Sequence, residues 1–112
     1  MISNKFQLEE TICALATPAG IGAIGVIRIS GTNAIGLVNQ IFRGFNLEEA
    51  ASHTLHFGKI ADETSIIDEV LASVFVAPKS YTGENTIELS CHGSPYIQQR
   101  ILELLVKKGA RL

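Results

Sequence analysis

Two charged residues, Glu88 and Arg28, stand in the middle of strand-like stretches. Glu88 lies within Thr86 to Cys91 (TIELSC), which alternates strictly: Ile87, Leu89 and Cys91 face one way, and Thr86, Glu88 and Ser90 the other. Glu is disfavoured in the middle of a strand. Its parity partners are polar too, so this side is either a solvated sheet face or the polar floor of a ligand site. A carboxylate accepts two parallel N–H bonds well, and the 2-amino-pyrimidinone edge of a pterin or guanine presents such a pair. Arg28 poses the same question in Ile24 to Ser30 (IGVIRIS), on the parity of Ile24 and Val26. It either snorkels, pairs with a strand carboxylate such as Glu88, or offers its planar fork to a ligand carboxylate or phosphate.

Other spacings carry less. Gly20-Ile21-Gly22-Ala23-Ile24-Gly25 fits GxGxxG, but a dinucleotide site needs that loop to open a helix, and here it opens the strand-like IGVIRIS. The remaining readings are a glycine turn between two strands, or a loop that lets a flat ligand approach the backbone. GxxxxGK[ST] is absent, which excludes a P-loop in this stretch; Gly31 to Gly36 has the glycine spacing without the Lys. Cys91-His92 pairs a nucleophile with a base by type, yet neighbours on a strand point to opposite sides. Cys91 falls on the apolar parity and reads as a small core residue. His92 opens a loop, either facing a ligand, exposed to solvent or bonded to backbone. His53 and His56 lack the further ligands of a zinc site.

These residues need a scaffold, and the composition supplies one. The chain has 112 residues, 46% hydrophobic and 18% charged, which suits one globular domain. Its net charge is −2, and the halves are balanced: three basic and four acidic residues over 1–56, six and seven over 57–112. No basic face for autonomous nucleic-acid binding follows. Two cysteines make no disulfide framework and fit a reducing compartment. Apolar runs fall short of the roughly 20 residues of a membrane span, and the N-terminus lacks a signal-peptide core. A cytoplasmic protein, with no membrane partner, is expected.

Residues 1–10 read as a flexible arm and 11–112 as the domain. Strands are expected over Thr11–Thr17, Ile24–Ser30, Thr54–Ala61, Ile66–Ala77 and Thr86–Cys91. Val70 to Val76 is apolar on both parities, which suggests a central strand covered on both faces. One helix is expected from a Ser30 or Thr32 cap through Ala34, Ile35, Val38, Ile41 and Phe42 to Gly44. A single helical turn is expected near 47–51. The last helix is capped by Ser94, starts at Pro95, carries the stripe Ile97, Ile101, Leu104 and Leu105, and closes at Gly109. The order β-β-α-β-β-β-α implies an α+β fold with both helices on one face of a mixed or antiparallel sheet. Ala110-Arg111-Leu112 begins an element without closing it, as in a piece of a longer chain.

The stretches ATPAGIGAIGVIRISG (16–31), DEVLASVFVAPKSYTGENTIELSCHGSP (68–95) and RILELLVKKGARL (100–112) resemble the N-terminal domain of the bacterial tRNA-modification GTPases of the MnmE, or TrmE, family. The resemblance runs from about Thr11 to Leu112. It implies a β2-α-β3-α folate-binding-domain fold, similar to half of the glycine-cleavage T-protein. It also implies binding of 5-formyl-tetrahydrofolate or a related tetrahydrofolate, and a homodimer whose assembly creates the folate sites. The parent proteins act with a flavin-dependent partner, MnmG (GidA), on C5 of the wobble uridine of tRNA. By resemblance the cofactor-binding residues are Arg28, in the IRISG segment, and Glu88, the second Glu of TGE-x-x-x-E. No catalytic or metal-binding residue is implied in this stretch. The parent's GTP, magnesium and potassium sites, its reactive cysteine and a further folate-contacting Lys belong to regions beyond residue 112. Two departures stand out: the loop often written PPGRGG is PAGIGA here, so Ile21 removes a cation, and CHGGP is CHGSP. Without folate binding, the rival expectation is a purely structural dimerisation module.

Overall fold

The computed structural model of the chain describes residues 10–17, 22–78, 80 and 83–112. The arm expected over 1–10 lies outside them apart from Glu10, and so do Pro18 to Ile21 of the glycine loop and Tyr81 and Thr82 of the SYTGE segment.

Among the described residues six strands form one sheet: β1 (Ile12–Leu15), β2 (Ile24–Ser30), β3 (Phe42–Arg43), β4 (Thr54–Ala61), β5 (Ile66–Phe75) and β6 (Thr86–His92). Their order is β1-β2-β6-β5-β4-β3 and every strand pair is antiparallel. One isolated parallel bridge joins Ile12 to Arg111. The helices are α1 (Ala34–Asn39) and α2 (Pro95–Lys107), with a 3-10 turn at Leu47–Glu49. This is the expected α+β fold, and of the two sheet types allowed it is the antiparallel one.

Alternation along the strands creates the core. Ile27, Ile29, Val70, Ala72, Val74, Ile87, Leu89 and Cys91 are buried on one face. They pack with Leu37 and Val38 of α1 and Ile101 and Leu105 of α2, so both helices cover that face. The Ser94 side chain caps α2 by accepting from the Ile97 N–H at 3.5 Å, with Pro95 in the first turn. Gly109, at φ +123°, turns the chain out of the helix.

Two expectations need correction. The first helix ends at Asn39, not at Gly44. Ile41 and Phe42 are buried, but Phe42 pairs with Ile60 and the Ala61 N–H bonds to the Ile41 carbonyl at 3.0 Å. Burial gave these residues a helix-like spacing, and ladder bonds to β4 won the backbone. Strand β5 is interior, between β6 and β4, but it is covered on one face only. In the single chain Leu71 is 43% exposed, and Leu55 and Phe57 of β4 are also exposed.

Candidate site on the open sheet face

The face away from the helices carries the residues singled out above. Register places Ala14, Arg28, Glu88, Ser73 and Leu55 in one row across β1, β2, β6, β5 and β4. The next row holds Val26, Ser90, Leu71 and Phe57. Small residues therefore flank the charged pair, and large apolar side chains stand beside it.

Arg28 and Glu88 meet directly. Arg28 Nε donates to Glu88 Oε2 at 2.8 Å, and Nη2 lies 2.7 Å from the same oxygen. The side chains are 45% and 20% exposed. Both contacts end on Oε2, so the guanidinium does not take Oε1. The pair brings a strong donor fork and an acceptor-only carboxylate to an uncovered surface. Ser30 Oγ and Thr86 Oγ1 lie 3.3 Å apart one step along the strands, where Thr86 is buried.

His92 is not paired with Cys91. Cys91 is buried and its Sγ donates to the Gly25 carbonyl at 3.4 Å. Burial pushes its thiol up to about 11, with the charge of Asp68 adding to the effect. His92 instead meets Asp68: the His92 N–H donates to Oδ2 at 2.8 Å, and Nδ1 lies 2.6 Å from Oδ1. Asp68 was missed in the sequence. Its signal was there: it shares the buried parity of Val70, Ala72 and Val74 on β5, an odd place for a carboxylate.

The other two histidines go separate ways. His56 stacks on Phe45 at 4.7 Å between ring centroids, and its Nε2 lies 2.8 Å from Thr54 Oγ1. His53 meets Phe75 edge-on and Ser52 through Nδ1. Among the described residues no group of three His, Cys, Asp or Glu side chains could hold a metal ion. No helix among them is long and apolar enough to cross a membrane.

The family described as GTP-binding protein TrmE N-terminus matches residues 11–112. The chain is 57% identical over 107 residues to a tRNA modification GTPase MnmE of Flavobacterium psychrophilum, covering 93% of this chain and 23% of the relative. It is 56% identical over 108 residues to the protein of that name from Christiangramia forsetii, covering 94% and 23%. With that of Streptococcus mutans the identity is 46% over 112 residues, covering 100% and 24%. The chain thus spans about a quarter of the length of these curated relatives.

Proposed function

Because the chain belongs to the TrmE N-terminal family, we propose that its open sheet face binds a tetrahydrofolate one-carbon derivative, 5-formyl-tetrahydrofolate, and joins two copies into a homodimer. One observation carries the reading: the Arg28–Glu88 pair, held on an uncovered face with Glu88 Oε1 outside the guanidinium's grip. A pterin presents two parallel N–H donors, and a carboxylate is the complementary acceptor. Oε1 accepts one of these donors, and Oε2, which already faces two nitrogens of Arg28, accepts the other by sharing its lone pairs between the guanidinium and the ligand. Arg28 fixes the plane of the carboxylate, acting as a positioning residue. Tetrahydrofolate, when bound, carries the one-carbon unit; the protein supplies orientation and shielding from water.

The relatives are named tRNA modification GTPases, and we propose the same activity for the parent of this stretch, carried out in the cytoplasm with the flavin-dependent MnmG on C5 of the wobble uridine. GTP, magnesium and potassium would be handled outside this stretch, whose sequence contains no GxxxxGK[ST]. The domain's part is to hold the one-carbon carrier at the subunit interface.

Calorimetric titration with 5-formyl-tetrahydrofolate tests the ligand. Saturable binding that Glu88→Ala abolishes supports the reading. Wild-type affinity in the variant removes Glu88 from the site, and no binding by a dimeric wild type leaves the structural module. That second reading draws on Ile24, Leu55 and Phe57, which are 63%, 66% and 64% exposed on the same face.

A further inference from the structure

We propose that His92, oriented by Asp68, is a carboxylate-binding subsite that receives the anionic end of an extended ligand whose ring is held at Glu88. This rests on the reading of Glu88 given above.

The geometry at His92 is specific. Asp68 is 8% exposed, and its carboxylate takes both the backbone N–H and the ring of His92. An ionised carboxylate only accepts, so Nδ1 carries the hydrogen in that contact. Nε2 remains the free ring nitrogen, with no partner among the described residues, in a side chain that is 67% exposed. A buried carboxylate aiming a surface imidazole in this way leaves one defined atom for a ligand.

His92 also helps to line a cavity of about 270 Å³ with Ile24, Phe57, Leu71, Ser90 and Glu69. Ser90 is two residues from Glu88 on the same face of β6, and His92 is four residues from it, about 13 Å along the strand. Glu88 lies one register row beyond this cavity's lining, so the order along the open face is a carboxylate for paired donors, apolar walls from Leu71 and Phe57, then an imidazole. It matches a ligand with a donor-bearing ring, an aromatic middle and a carboxylate end.

With Nδ1–H committed to Asp68, a carboxylate is held at Nε2 only when that nitrogen also carries a hydrogen and donates it. The charged groups facing this position are Asp68 and Glu69 of β5, with Lys59 of β4 opposite Glu69 in register. Ala23 and Ile24, before and at the start of β2, are uncharged.

The test compares 5-formyl-tetrahydrofolate with the primary amide of 5-formyl-tetrahydropteroate, which keeps the ring and the aromatic middle but carries no carboxylate, by calorimetry on the chain and its variants. His92→Gln should weaken the glutamate-bearing ligand by roughly ten-fold, the scale of one lost charge-assisted bond, and leave the carboxylate-free amide unchanged. His92→Lys, a permanent cation, should restore the preference. Equal weakening of both ligands by His92→Gln, or of neither, overturns the subsite while Glu88 keeps its role. If Glu88→Ala binds both ligands as the wild type does, or the wild type binds neither, the reading of Glu88 falls and takes this inference with it.

Discussion

Gly93 lies against the backbone of Gly22 so closely that a Cβ on it would stand 2.0 Å from the Gly22 carbonyl oxygen. The two stretches are also laced together: the Gly22 N–H donates to the Gly93 carbonyl at 3.1 Å, and the Gly93 N–H to the Ala23 carbonyl at 3.2 Å. The glycine of the Cys-His-Gly segment thus ties the turn before α2 to the approach of β2. The obstacle is backbone, which cannot rotate away as a side chain can. Gly93→Ala should cost about 1–3 kcal/mol of unfolding free energy, the range for overpacking. The midpoint of urea unfolding reads this directly, and an unchanged midpoint would show that the backbones separate freely.

Both thiols should be inert in the folded chain. Cys13 and Cys91 are buried, and burial raises both pKa values, that of Cys91 to about 11. The thiolate is the reactive form, so alkylation by iodoacetamide at pH 8 should be far slower than for a free cysteine and should track unfolding. Rapid modification of Cys91 in native buffer would contradict its place in the core.

Part of the site was legible because alternation is a strong signal. Arg28 broke an apolar parity and Glu88 stood in mid-strand where Glu is disfavoured, and the structure places them in contact. Asp68 carried the same kind of signal on β5 but sits near the start of a long strand, where a carboxylate passes as turn polarity. Parity also reports which residues are apolar without reporting what covers them. Leu71 therefore read as buried on both sides of β5, although the helices cover only one. Ile41 and Phe42 show the matching ambiguity in the helix: burial alone cannot say whether an i→i−4 bond or a ladder bond satisfies the backbone.

The proposed pairing of two copies makes the open face the sensitive surface. Phe57 and Leu71 are neighbours across β4 and β5 and both are exposed in the single chain. Phe57→Glu should shift the chain from dimer to monomer in analytical ultracentrifugation with little change in its circular dichroism. A charge on a solvated face costs a monomer little, whereas burying it unpaired in an interface is expensive. A variant that remains a dimer would move the interface elsewhere.

Arg28 should matter more to a ligand than to the fold. Its partner is largely shielded, but Arg28 itself is nearly half exposed. Such pairs contribute at most about 1 kcal/mol to stability. Arg28→Met keeps the stem and removes the fork, so the unfolding midpoint should move little while affinity for 5-formyl-tetrahydrofolate falls about ten-fold or more. A large stability loss with unchanged affinity would make the pair a structural clasp.

Acid should loosen the β4–β5 hairpin in a defined window. Asp62 Oδ1 accepts from the Thr64 N–H at 2.8 Å, the Ser65 N–H at 2.7 Å and the Thr64 hydroxyl at 3.0 Å, and Arg100 approaches Oδ2 at 3.4 Å. The backbone bonds to Thr64 and Ser65, helped by the Thr64 hydroxyl and Arg100, lower its carboxyl from the ordinary 3.8 to about 2. A folded-state value below the unfolded one contributes stability that is fully present above the unfolded value and is lost as pH falls through the folded one. Asp62→Asn keeps an acceptor oxygen but has no charge to titrate. The wild type should therefore melt higher than the variant above about pH 5, with the gap closing between about pH 4 and pH 2. Melting curves of both proteins across that range decide the point: a gap that stays constant down to pH 2 would show that the turn gains nothing from the ionised form.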